Sequence, residues 1–264
     1  PAFIENVLRP YANAYQVIAQ AEFESTQGAE RINTYLHHLA RLDNYDWVPP
    51  AIQYFHRHRR NPAQIASFVQ DLKRLAYGLF VLRANVNDRI HRYAQLISAI
   101  EQEEDLFADG SPLQLSGQEC RMILEALDGP IYQQTRVRLP LLLRLDSLMS
   151  DAGVRYDHKV ISVEHVLPQQ PAHDSEWVSN FPDAETRDAW IHRLANLVLL
   201  SRHKNTQAQN YDFERKKAEY FQKRNVATFA LTSQVLAESR WDTEVLERRQ
   251  RNLIQRLASE WRLL

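Results

Sequence analysis

Lys159-Val160-Ile161-Ser162-Val163-Glu164-His165-Val166-Leu167-Pro168-Gln169 is the stretch where helical periodicity gives way to a short β-branched run. Residues 159–163 read as a strand, and Pro168, which cannot donate to a β-ladder, marks where pairing stops. A second strand is expected at Leu197-Val198-Leu199-Leu200. Between them lie a looser connection rich in Pro, Asp and Ser and a helix near residues 184–194. Tyr211, Phe213, Lys217, Tyr220 and Phe221 then fall on a charged helix. The segment therefore reads strand, long connection, strand, helix.

Upstream, apolar residues recur at three and four positions. Phe3, Val7, Tyr11, Ala14, Tyr15 and Ile18 form the stripe of an amphipathic helix, whose apolar face is expected to turn inward. Val48-Pro49-Pro50 and Asn61-Pro62 separate helices, and Asp109-Gly110-Ser111-Pro112 and Asp128-Gly129-Pro130 are turns. Ser116 with Glu119 resembles a capping box. About six helices are expected up to residue 150, and helical spacing returns from Thr232 to Leu264. The predicted fold is mainly α, a helical bundle with an embedded small ββα motif. It divides into a helical domain (1–150), the ββα segment (151–225) and a C-terminal helical segment packing on the preceding parts (226–264).

Composition sets the outer bounds. The 264 residues are 44% hydrophobic and 25% charged, with 6 glycines, as in an ordinary helix-rich globular protein. Cys120 is the single cysteine, which excludes an intramolecular disulfide and a Cys-rich zinc site and fits a reducing, cytoplasmic setting. The longest apolar run, residues 139–145, is broken by Pro140 and Arg144 and falls short of the roughly 20 residues that span a bilayer. No membrane association is expected. The opening PAFIENVLRP has no initiator Met and no signal-like stretch, so the chain is expected to be a fragment of a longer protein. Net charge is −1, so any polyanion-binding surface must be local.

Glu164 and His165 set a carboxylate beside an imidazole at a strand end. Strand alternation sends consecutive side chains to opposite faces, so a shared site requires the strand to lose regularity there. The second phrase, from Ala195-Asn196 to Lys204-Asn205, brackets a strand and a turn with two asparagines, and Asn205 is expected near the start of the following helix. Phosphodiester hydrolysis needs a base to activate water and a cation to offset charge on the phosphate and the departing oxygen. His165 suits the base. Glu164 and Asn205 supply oxygens for a hard cation such as Mg²⁺ that keeps most of its waters. Asn196 is a structural residue of the site, its amide tying the loop that presents His165.

With these residues the sequence resembles the HNH, or ββα-metal, nucleases. The string EHVLPQ, then NLVLLS with Asn205 nine positions after Asn196, then Phe213 and Lys216, is similar to the C-terminal nuclease domain of GmrSD-type modification-dependent restriction enzymes, a group that includes phosphorothioate-sensing SspE-like proteins. The resemblance covers about residues 155–225. It implies a DNA endonuclease or nickase directed against phage or other foreign DNA, with Mg²⁺ or Mn²⁺ as cofactor. It further implies an N-terminal ParB-like nucleotide-hydrolysing domain of the same protein outside this chain. Related sequences commonly carry Gly where this one has Ala195, which predicts a different backbone at that turn. Many HNH enzymes have Asp or His where this chain has Glu164, and the longer side chain shifts the expected metal position.

Plainer readings stand beside these. A Glu-His pair alone is an ordinary hydrogen-bonded strand end, and Asn205 is also a favoured helix cap. Basic residues outnumber acidic ones from Arg187 to Arg224. Arg193, Arg202, His203, Lys204 and Lys216 are the candidate DNA contacts, with a solvated charged face as the alternative. His56-Arg57-His58-Arg59-Arg60 serves either nucleic acid or a helix dipole. Beside the enzyme stand two other functions: a DNA-binding module, or a helical interaction scaffold with a degenerate nuclease site.

Overall fold

Helix starts follow the punctuation of the sequence. In a computed structural model that describes residues 2–150, 156, 160–201, 210–222 and 229–264, Asn61 accepts the Gln64 N–H (3.2 Å) and Pro62 fills the first turn of the helix it opens. Ser116 and Glu119 cap reciprocally: Ser116 N–H donates to Glu119 Oε2 (2.7 Å) and Glu119 N–H to Ser116 Oγ (3.2 Å). The architecture is mainly α with one two-stranded sheet, as the sequence predicts. The chain forms two units, Pro1–Ile123 and Leu124–Leu264.

In the first unit, α1 (Arg9–Gln20) follows a π-type turn at Ile4–Leu8, and α2 (Ala29–Leu39), α3 (Val48–His58), α4 (Pro62–Val81) and α5 (Val86–Glu101) follow in order. Helix α6 (Gly117–Leu127) carries the unit boundary. Helix α4 is central, being buried from Phe68 to Val81 except at Gln70 and packed on α2 and α3. Gly78 lets Leu115 and Ile123 lie close against α4, since a Cβ there would stand 3.0 Å from their methyls. The N-terminal stripe departs from expectation. Ala14 and Ile18 face inward, but Phe3, Val7 and Tyr15 are exposed and Tyr11 is at the margin, its ring 4.5 Å from that of His56. Of the stripe, Ala14 and Ile18 alone are buried, and the two tyrosines flank them with partly exposed rings.

The second unit contains α7 (Arg138–Met149), β1 (Ser162–His165), α8 (Glu176–Asn180), α9 (Ala184–Ile191), β2 (Leu197–Leu200), α10 (Phe213–Lys216, continued by a π-type turn at Lys217–Phe221), α11 (Ala230–Leu236) and α12 (Thr243–Glu260). Strand β1 begins later than the expected 159–163 and runs through His165, pairing antiparallel with β2 as Ser162↔Leu200, Val163↔Leu199, Glu164↔Val198 and His165↔Leu197. Every residue of β2 is buried. Val198 and Leu200 of β2 pack into an aromatic core that includes Trp177, Phe181, Phe213, Tyr220 and Trp241. Buried Asp146 on α7 accepts the Leu231 N–H (2.8 Å), giving the start of α11 an acceptor, and Thr232 Oγ1 donates to Leu199 O (2.6 Å).

Candidate active site

The site is organised by Asn196, which is fully buried. Its Oδ1 accepts the Leu167 N–H (2.7 Å) and the Trp241 indole N–H (3.3 Å), and its Nδ2 donates to Leu167 O and Ile191 O (both 3.0 Å). Its own carbonyl accepts the Val166 N–H (2.9 Å). One side chain and one carbonyl thus hold the two residues that follow His165. The turn before β2 is a 3-10 turn, Leu194–Asn196, and Ala195 is not among the described residues with positive φ. A right-handed turn needs no glycine, and the Ala195 side chain is buried in the aromatic core.

Two adjacent side chains of α12 brace the same turn from behind. Arg249 Nε donates to Ala195 O (2.9 Å), Nη2 to Leu197 O (3.3 Å) and Leu231 O (3.0 Å), and Nη1 to Gln234 Oε1 (2.7 Å). Burial lowers this guanidinium to about 10, opposed by the Glu238 carboxylate. Gln250 Oε1 accepts the Ala195 N–H (2.8 Å), while Nε2 donates to Asp128 Oδ1 (3.0 Å) and Leu127 O (3.3 Å).

Glu164 and His165 occupy consecutive rungs of the ladder, so the strand keeps its pairing through both residues. Their surroundings differ accordingly. Glu164, 2% exposed, lies in the field of Lys216, and burial drives the Lys216 ammonium down to about 7 while the carboxylate pulls it up. Lys216 is 1% exposed and its Nζ donates to Val166 O (2.9 Å), so helix α10 returns to the end of β1. Helix α10 is itself seated by exchange with α8: Asp212 Oδ1 accepts the Glu176 N–H (3.2 Å) and Glu176 Oε1 accepts the Phe213 N–H. His165, 7% exposed, has Gln169 Nε2 at 3.2 Å from its Nδ1 and the rings of Tyr132 and His192 at 4.0 and 5.5 Å between centroids. Burial lowers His192, opposed by Asp188.

The residues predicted from sequence are thus distributed unevenly. Glu164, His165, Asn196 and Lys216 all lie at one end of the sheet. The ladder stays regular there, however, and sends the Glu164 and His165 side chains to opposite faces, so the loss of regularity expected for a shared site does not occur within β1. Lys216 lies inside, on a backbone carbonyl, rather than on an outer face. Arg193 stands beside Asp128 (3.6 Å) with its guanidinium 4.9 Å over the Trp190 ring. Asn205, Arg202, His203 and Lys204 lie outside the described residues. Tyr132, Gln169, Arg249 and Gln250 were not singled out by sequence. The last two did carry a signal, because they sit three and four positions from both Leu246 and Leu253 on the buried stripe of α12.

The sequence matches the family described as GmrSD restriction endonucleases, C-terminal domain, over residues 121–256, more than half of the chain. The chain belongs to that family. Its place is therefore in a restriction endonuclease, and the match takes in the Tyr132 turn and most of α12 as well as the sheet. No curated protein matches the chain. No helix among the described residues is long and apolar enough to cross a membrane.

The donor set bears on what cation this GmrSD domain would hold. Among the described residues no three His, Cys, Asp or Glu side chains cluster as a metal cage. The buried carboxylate at this end of the sheet, Glu164, fits instead a hard cation that keeps waters and takes its remaining oxygens from substrate.

Proposed function

We propose that this chain is a divalent-metal-dependent, HNH-type DNA endonuclease or nickase, the nuclease part of a modification-dependent restriction protein acting on phage or other foreign DNA in the cytoplasm. The observation that supports it is the return of α10 to the end of β1 through Lys216 and Val166 O, which brings strand, strand and helix together where Glu164 and His165 end the strand. The nuclease segment is residues 151–225, flanked by a helical domain (1–150) and a C-terminal helical segment (226–264). A ParB-like nucleotide-hydrolysing domain of the same protein is the expected partner.

In this reading His165 takes the proton of the attacking water. Asn196 fixes Val166 and Leu167, and so the height of the imidazole above the sheet end. Lys216 sets a cationic group beside Glu164. Glu164 and Asn205 would hold the cation, Mg²⁺ or Mn²⁺, which when bound supplies charge stabilisation at the phosphate and the departing oxygen. Arg193, Arg202, His203 and Lys204 provide phosphate contacts along the DNA.

The test is plasmid cleavage with Mg²⁺ or Mn²⁺. Nicking or linearisation is expected, abolished by EDTA and reduced about 10²- to 10⁴-fold in His165→Ala with circular dichroism unchanged. Full cleavage by that variant, in a preparation free of contaminating nuclease, rejects the assignment. The burial of Glu164 and His165 favours a second reading, a DNA-binding module with a degenerate site. A gel shift without cleavage would select it.

A further inference from the structure

Three rings meet at the base. The Tyr132 ring lies 4.0 Å from that of His165 at an interplanar angle of 55°, and it stacks on His192 at 5.6 Å and 12°. His192 meets His165 edge-on at 5.5 Å and 67°. Tyr132 thus contacts one side of the His165 imidazole and His192 another, while Gln169 engages Nδ1.

Tyr132 is itself held on several sides. Its N–H donates to His192 O (3.0 Å), and its carbonyl accepts from Arg138 Nη1 (3.0 Å), whose guanidinium carbon stands 4.5 Å over its ring. The 3-10 turn that carries it, Ile131–Gln133, is anchored by fully buried Ile131. Upstream, Asp128 is fixed by Gln250 and paired with Arg193. At Gly129 a Cβ would come within 3.2 Å of Ala126 O, so the chain turns tightly into this segment. This held turn is remote in sequence from the strand whose His165 it touches.

We infer that Tyr132 is a positioning residue for His165, its ring fixing the plane of the imidazole so that the proton-accepting nitrogen keeps one orientation toward substrate. This rests on the proposed role of His165 as the base. Fixing orientation matters because a general base displaced by about 1 Å loses on the order of a hundredfold in rate. The hydroxyl plays no part in ring contact, so phenylalanine should serve as well.

The experiment is steady-state plasmid cleavage with Mg²⁺ by the 264-residue chain, with His165 ring protons followed by NMR. Tyr132→Leu is expected to lower kcat roughly ten- to a hundredfold with KM within about twofold. It should also remove the ring-current shift of the His165 protons. Tyr132→Phe should rescue both. Arg138→Gln, which loosens Tyr132 without emptying its place, is expected to lower kcat in the same direction by less, and it carries the test should Tyr132→Leu not fold. Unchanged kcat in the folded variants, or His165 shifts indifferent to residue 132, overturns the inference. If His165→Ala loses cleavage while those variants keep it, the base assignment stands and only the positioning role falls. If His165→Ala keeps cleavage, both fall.

Discussion

Asn196→Ala isolates what one buried amide contributes. The substitution removes four side-chain hydrogen bonds at a fully buried position: those to Leu167 N–H, Leu167 O, Ile191 O and the Trp241 indole. A buried polar group left without its partner costs about 1–3 kcal/mol. Discounting the long Trp241 bond and the carbonyls' second lone pairs, the expected loss is about 3–5 kcal/mol. That is a large part of the roughly 5–15 kcal/mol available to a domain, and equivalent to a melting-point drop of roughly 10 °C. Urea unfolding followed by tryptophan fluorescence reports on the right unit, because Trp177, Trp190, Trp241 and Trp261 lie in it and only Trp47 lies outside. Asn196→Asp should be no better. It keeps the acceptor but turns a second oxygen toward Leu167 O and Ile191 O, where Nδ2 now donates. An alanine variant within about 0.5 kcal/mol of the parent, the range of an ordinary surface change, would refute this account of the site's support.

Arg249→Met should cost about 3–5 kcal/mol by thermal melting, since four acceptors lose their donor. Arg249→Lys should recover little of it, because one ammonium cannot span that set. Lys216 governs a pH effect. Its pKa falls from 10.5 unfolded to about 7 folded, so between those values the unfolded chain binds more protons and stability rises with pH, by at most about 1.4 kcal/mol per unit. Lys216→Met is expected to remove that rise, which urea midpoints at pH 7 and 9.5 would reveal. Gln250→Leu should lower stability by about 2–3 kcal/mol, checked by the same unfolding curves, because Ala195 N–H and Asp128 then lose their shared partner.

Much of this arrangement is legible in the sequence. Periodicity and punctuation give the helices, and the β-branched run before Pro168 gives the first strand, though its pairing extends to His165 because the Val166 N–H still finds an acceptor in Asn196 O. The short helix Glu176–Asn180 escapes notice, since five residues show no period and its start depends on Asp212, distant in sequence. Lys216 reads as a surface cation because lysine is seldom buried, and only the carbonyl of Val166 and the carboxylate of Glu164 explain its position. Tyr132 is invisible for a related reason: nothing local to Gly129-Pro130-Ile131 signals a partner 33 positions later. The N-terminal stripe shows the converse, a period of which only Ala14 and Ile18 are packed.

The brace supplied by α12 has a consequence for the order in which the protein is made. Both the amide and the carbonyl of Ala195 are satisfied by residues 249 and 250, more than fifty positions downstream. Gln250 also holds the carbonyl of Leu127 and the side chain of Asp128, more than 120 positions upstream. A nascent chain that has emerged only through its two strands and α10 therefore has every proposed catalytic group but not the α12 side chains that satisfy Ala195. The turn before β2 receives its last hydrogen-bond partners only when synthesis has delivered α12.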